Sequence, residues 1–425
     1  MPSLSLCSTF CVPWWRVSRV RVVQGAGSCE PVRALPQVAS ETLWHVCRAQ
    51  RRHRPRIESA SMSTDQAPLF DLANPSIVDL FAGPGGLDVA AQWLGVPVTG
   101  VEWDDDACET RKAARLDTRH EDVRDLGPWS VPAANILAGG PPCQTFTVAG
   151  SGTGRKALDV VLALVEMMEE GREAAVKGVL ANMEDERTGL VLEPLRWALK
   201  ALDDDHPYEA IVLEQVPAVR PVWDAYAAVL ERKGYGVDVG VLRTEQFGVP
   251  QTRRRAILIA RRGREVKLPT ATHRAFRKGV GQKEDSLRPW VSMGDVFGRE
   301  KEFEVISNYG TGGIPSARGR RKSTEPAFTV TGKISRNRVI GRGPSSTGRF
   351  EPHHAGQLQT FPSNYPWRGK DWAQQVGNAI PPRLGVHVLA SVLGAEPPSE
   401  AFLERAVTGS WWDHVPCDSP LPEAG

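Results

Sequence analysis

SIVDLFAGPGGLDVAAQWLG occupies residues 76–95. Ile77, Val78, Leu80 and Phe81 form a short apolar run. Gly83, Pro84, Gly85 and Gly86 break it, and Leu87, Ala90, Ala91 and Leu94 then recur at helical spacing. The stretch reads as a strand, a tight glycine turn and a helix. Glycines at such a junction let backbone amides approach a ligand closely at a helix N-terminus. VPVTGVEWDDDACETRKAAR (96–115) repeats the strand-then-helix order. In a dinucleotide or nucleoside site an acidic residue at the end of the second strand takes the ribose hydroxyls. Glu102 stands there, 23 positions after Asp79, and Asp122 in HEDV would end a third strand.

Further short apolar runs follow at NILAGG (135–140), YEAIVLEQV (208–216) and RRAILIARR (254–262), with helical patterns at 157–170 and 189–203 between them. Alternating strands and helices predict an α/β, doubly wound, mostly parallel sheet with helices on both faces. The character changes after residue 262. Residues 263–350 are rich in Gly, Arg, Lys, Ser and Pro, and the window 251–280 carries ten Lys or Arg against one Glu. Such a run is either a solvated face or one wall of a nucleic-acid groove. Ordered patterning returns over 351–395, and 396–425 reads as a peripheral tail.

The chain has 425 residues, 41% hydrophobic and 24% charged, which is the balance of a packed globular core. No run approaches the length of a membrane-spanning helix. The formal charge of +2 hides two regimes. Residues 1–61 hold nine Arg, no Lys and three acidic residues, a net of about +6, whereas 62–425 carry a net near −4. No helical or strand period runs through 1–61, and Met62 opens an ordinary-looking start. The segment is expected to be upstream or disordered sequence, with a basic nucleic-acid-binding arm as the sharper alternative. Beyond it the cysteines are Cys108, Cys143 and Cys417, without metal or disulfide spacing, which fits a reducing cytoplasm.

AGGPPCQTFT (138–147) places Cys143 directly behind two prolines at the end of an apolar run. Neither strand nor helix continues through such a string, so the thiol is presented at a bend. A lone cysteine is ordinarily a small buried hydrophobe. Its company decides otherwise. DLFAGPGG (79–86), GGPPCQTFT (139–147), LEQVP (213–217), VPQTRRRAILIA (249–260) and QQVGNAIPP (374–382) run in one order across residues 76–395. Together they resemble the DNA cytosine 5-methyltransferases, which use S-adenosylmethionine (AdoMet).

The resemblance implies a Rossmann-like AdoMet-dependent catalytic domain over 76–262, a smaller target-recognition region over 263–350 and a return to the catalytic domain over 351–395. It implies that Cys143 adds to carbon 6 of cytosine, so that carbon 5 accepts the methyl group. Glu214 is then the group at ring nitrogen 3. Gln251, Arg253 and Arg255 match a Gln-x-Arg-x-Arg element whose arginines would fix the base carbonyl, Glu214 and a phosphate, with Gln251 at the DNA. For AdoMet, Phe81, Gly83, Gly85, Gly86, Pro142 and Asn378 would line the site. Glu102 would hold the ribose, Trp103 would stack on adenine and Asp122 would take its amino group. A base inside a duplex must be flipped out. Gln144 and the loop after it, with Arg155 and Lys156 for phosphate, are expected to close over the DNA.

The implied partner is double-stranded DNA, bound by a monomer in a bacterial cytoplasm, or in a host cytoplasm for a phage protein. A cognate restriction endonuclease fits the resemblance, as does a solitary enzyme. Gln215 stands where the family usually has Asn, Thr147 where it commonly has Ser, and RFEPHHAG (349–356) matches its string poorly. A tRNA cytosine 5-methyltransferase on the same scaffold, or a catalytically silent DNA-binding relative, are the alternatives.

Overall fold

The computed structural model describes residues 70–142, 153–183, 186–280, 286–308 and 317–415. The basic segment 1–61, Cys143, Gln144 and the rest of the loop to residue 152 lie outside the described residues.

Strand β1 (Ile77–Leu80) leads through helix α1 (Gly86–Trp93) to β2 (Val98–Glu102), and α2 (Asp105–Ala114) leads on to β3 (Thr118–His120). The chain then returns to lay β4 (Ile136–Gly139) on the other side of β1, followed by β5 (Ala210–Gln215). These five strands are parallel. β7 (Arg254–Arg262) pairs antiparallel with β5, and β6 (Tyr235–Arg243) completes a seven-stranded sheet of order β3-β2-β1-β4-β5-β7-β6. The winding direction reverses between β1 and β4. In sheets of this kind ligands bind in the crevice outside the carboxyl ends of those two strands.

Side chains alternate across the sheet as the pleat requires. Ile77, Ile136, Ala138, Val212, Ile257 and Ile259 face one core with α1 and α10 (Pro382–Leu393). Val78, Leu80, Leu137, Ile211, Leu213 and Leu258 face the other, with α3 (Thr153–Glu169), α5 (Glu193–Asp203) and α6 (Arg220–Arg232). The helical pattern expected over 189–203 is divided. A 3-10 turn spans Glu186–Leu192 and the α-helix starts at Glu193, because Pro194 is tolerated only in the first helical turn. The helices α1 and α10 pack closely because Gly385 lacks a Cβ, which would stand 2.8 Å from the Cβ of Ala90.

Beyond β7 a small antiparallel sheet of order β10-β8-β9 forms from β8 (Phe303–Ile306), β9 (Arg320–Lys322) and β10 (Arg338–Gly341). Its core joins Met293, Phe297, Phe303, Val305 and Val330 to Leu358 of α8 (Pro352–Leu358) and Val376 of α9 (Trp372–Asn378). No described helix is long and apolar enough to cross a membrane.

Candidate active site

A cavity of about 510 Å³ opens at the carboxyl ends of β1, β2, β4 and β5. Its wall begins where β1 stops. Phe81 sits at φ 60°, an unusual backbone for a bulky side chain, and such conformations concentrate at ligand sites. The strain is held on both sides: Ala82 donates its amide to the Val101 carbonyl (3.1 Å) and Gly140 donates to Leu80 (3.2 Å). Gly83 also has positive φ, and nothing lies within 4 Å of where its Cβ would be. At Gly86 a Cβ would overlap the carbonyl of Ile380, so this glycine lets α1 close onto the Gly-Asn-Ala-Ile-Pro-Pro turn.

The carboxylate of Glu102 accepts three backbone amides: Gly83 at 2.7 Å, and Trp103 and Asp104 at 2.9 Å each. That fixes its orientation and ties the glycine turn to the end of β2. Trp103 lies beside it at the cavity, 64% exposed. Asp122 follows β3 rather than ending it. It caps a 3-10 turn and accepts from Arg124, whose hydrogen bonds hold its carboxyl below the usual range. Asn378 reaches the same cavity from far along the chain and accepts from Gln374 at 2.6 Å.

The opposite wall is formed by the end of β5. Glu214 pairs with the Arg255 guanidinium. Antiparallel pairing of β7 with β5 makes this contact, since it brings the start of β7 to the carboxyl end of β5. Gln215 is buried, and its Nε2 donates to the Pro141 carbonyl at 2.5 Å while its Oε1 accepts from Val216. The Asn-to-Gln departure therefore still delivers a side-chain amide, here to the proline pair that precedes Cys143. Pro142 lines the cavity and is the last described residue before it. Arg155 and Lys156 fall in the first turn of α3.

Two members of the Gln-x-Arg-x-Arg element go elsewhere. Gln251, expected at the DNA, turns into the protein instead. It is fully buried, its Nε2 donates to the Leu358 carbonyl (2.9 Å) and Gln359 Oε1 (2.5 Å), and its Oε1 accepts from Val330 (2.9 Å). Its amide is thus taken up by protein. Arg253 precedes β7 and is 1% exposed, with bonds to the carbonyls of Val330 (2.8 Å), Gly377 (2.9 Å) and Ala379 (3.2 Å). It braces the turn that carries Asn378 and does not line the cavity. Arg254 turns outward and is exposed.

Sequence reading missed the support beneath the glycine turn. Arg111 of α2 is fully buried and forms a two-pronged pair with Asp88 of α1, at 2.9 and 2.7 Å. It also donates to Thr118 Oγ1 (2.9 Å) and the Asp117 carbonyl (3.0 Å). Gly100 makes the room, since a Cβ there would overlap the guanidinium. Cys108 is no rival nucleophile, for burial pushes its thiol up to about 12. A second groove of about 520 Å³ shares Arg255 with the cavity and is lined by Arg243, Arg254, Lys278 and Arg321.

The family model for C-5 cytosine-specific DNA methylase matches residues 76–170 and 175–288. This chain belongs to the C-5 cytosine-specific DNA methylase family. Among curated members, it is 24% identical over 335 residues to the type II methyltransferase M.AplI of Arthrospira platensis, across 74% of this chain and 85% of that one. It is 26% identical over 351 residues to the type II methyltransferase M1.HphI of Haemophilus parahaemolyticus, across 74% and 86%. Two solved structures share the fold. The Entamoeba histolytica methyltransferase EhMeth aligns with TM-score 0.51 at 14% identity, over 76% of this chain and 99% of its own. The S. pombe Dnmt2 methyltransferase aligns with TM-score 0.51 at 16% identity, over 75% and 98%.

Methyltransferases of this family use AdoMet, and the cavity suits it chemically. An oriented carboxylate can accept from ribose hydroxyls, an exposed indole offers a face to a purine, and an open glycine at a helix N-terminus leaves room for an amino-acid end.

Proposed function

We propose that this chain transfers a methyl group from AdoMet to carbon 5 of a cytosine turned out of duplex DNA, through a covalent adduct with Cys143. The observation that carries the proposal is the Glu214–Arg255 pair on the same cavity wall as Pro142, one residue before Cys143. AdoMet supplies the methyl group as a sulfonium. Everything else falls to the protein.

A free thiol is only a few per cent thiolate at neutral pH, so its presentation matters. The Gln215 bond to Pro141 anchors the proline pair that immediately precedes Cys143 in the chain. As the sulfur adds to carbon 6, electron density moves toward ring nitrogen 3. Glu214 holds a proton there, and Arg255 keeps the carboxyl in place. Carbon 5 takes the methyl group, its proton then passes to solvent, and the electrons left behind re-form the 5,6 double bond and release Cys143 as the thiolate. Glu102 and Trp103 fix the nucleoside part of the cofactor, with Phe81, Gly83 and Asn378 around it, and Asp122 at the adenine edge. The basic groove sharing Arg255 would seat phosphates of the flanking DNA. Residues 76–262 and 351–395 would then be catalytic, and 263–350 would read the target, in a bacterial cytoplasm.

The test is bisulfite sequencing of DNA from a host lacking its own cytosine methylation and expressing the full chain. Protected cytosines in one sequence context that disappear with Cys143→Ala are expected. Protection that persists in that variant refutes the covalent role of Cys143. No protection from folded wild-type protein refutes the duplex DNA substrate, and labelling of tRNA would then identify the polymer.

A further inference from the structure

Among the described residues, the buried and half-buried carboxyl groups around the cavity have partners with one exception. Asp88 is held by Arg111, Glu214 by Arg255, Glu102 by three backbone amides and Asp122 by Arg124. Asp79 lines the same cavity, is 5% exposed, and its carboxyl has neither a hydrogen bond nor an ion pair. A buried charge without a partner costs several kcal/mol, so a carboxyl there implies either a proton or a cation supplied from outside.

Its position says which cation. Asp79 stands on β1 one residue below the strand end, level with Gly100 of β2 and Ala138 of β4. Glu102 closes the cavity on one side and Glu214 on the other. If the nucleoside is held at Glu102 and the reacting base at Glu214, the sulfonium joining them lies between, over β1. Resting on the reading that this cavity holds AdoMet, we infer that Asp79 is the counter-charge of the sulfonium and couples cofactor exchange to one proton. Cationic AdoMet binds with Asp79 ionised. Methyl transfer turns the sulfonium into a neutral thioether, so S-adenosylhomocysteine sits beside a protonated Asp79, the proton being taken from water. The residue thereby favours the substrate form over the product by charge.

The surroundings are consistent with this. Burial and the neighbouring carboxylates of Asp88 (α1), Glu102 (β2) and Glu214 (β5) raise Asp79 well above the usual carboxylate range, against the opposing charge of Arg111 (α2). Burial thus favours the protonated form of Asp79 where no cation stands beside it.

Calorimetric titration of the full chain with AdoMet and with S-adenosylhomocysteine, in buffers of different ionisation enthalpy, counts the protons released. The inference expects wild-type protein to release up to about one more proton with AdoMet than with S-adenosylhomocysteine. Where that count reaches one, preference for AdoMet falls about tenfold per pH unit of acidification, as linkage of a single proton requires. Asp79→Asn keeps the shape of the side chain and should erase both the proton difference and the pH dependence of the preference, while retaining S-adenosylhomocysteine binding. Equal proton counts for the two ligands in the wild type overturn the inference, as does a difference that survives in Asp79→Asn. The wild-type comparison decides even if the variant does not fold. Failure of either ligand to bind folded wild-type protein instead refutes the cavity assignment itself.

Discussion

Replacing Arg111 by Met should cost the protein much of its stability although Arg111 does not itself line the cavity. Arg111 is fully buried and Asp88 is 3% exposed, so neither charge finds water when the other is removed. The substitution deletes two charge-assisted bonds to Asp88 and the bonds to Thr118 and Asp117. Breaking a buried pair by removing one partner costs about 3–5 kcal/mol, most of it the desolvation of the charge left behind. Against a net stability of about 5–15 kcal/mol for a domain, that is a large share. Urea unfolding is the assay, read as a fall in midpoint at constant slope. The double variant Asp88→Leu/Arg111→Met removes the orphaned charge and should recover much of the loss. Gly100→Ala should mimic the single variant, because its Cβ displaces the guanidinium. A loss under about 1 kcal/mol for Arg111→Met, or a double variant no better than the single one, would refute the reasoning.

Gln215→Ala removes the bond to the Pro141 carbonyl, and kcat is expected to fall roughly tenfold or more for the ~1–3 kcal/mol of a buried acceptor left unpaired, with AdoMet affinity unchanged. An unaltered single-turnover rate would show that the proline pair needs no such anchor. Trp103→Ala touches an exposed side chain, so stability should hold within about 0.5 kcal/mol while AdoMet binding weakens by up to about tenfold through lost stacking. Equal affinity in a fluorescence or calorimetric titration would remove Trp103 from the site. Burial pushes His273 and His387 down to about 4, below the unfolded value near 6.5, so both fold in the neutral form. Their contribution to stability is therefore complete above about pH 6.5 and is lost as pH falls toward 4. His387→Phe, which keeps a ring against Phe247, should flatten that acid loss in thermal melts between pH 7 and 5, and an unchanged slope would exclude His387 as its source.

Local chemistry made one wall of the cavity readable. A glycine turn after a short apolar run, and an acid at the end of the next strand, announce their geometry within some two dozen residues, because backbone sterics and strand periodicity act over that range. Phe81, Gly83, Glu102 and Trp103 accordingly sit on one cavity. The same rules failed at 251–255. The string suggested arginines projecting together, but the strand begins only at Arg254. Gln251 and Arg253 are claimed by carbonyls between 77 and 126 positions away, contacts that no local pattern encodes.

The sequence by itself determined the order of strands and helices, the glycine turn that ends β1, and the placing of Cys143 directly after two prolines. Tertiary structure alone decided that Arg255 meets Glu214, that Arg111 underpins the glycine turn, and that Asp79 stands unanswered in the cavity. The physical reason is that turn and strand preferences are properties of neighbouring residues, whereas the partner of a buried charge is fixed by which distant segments the packed sheet brings alongside it.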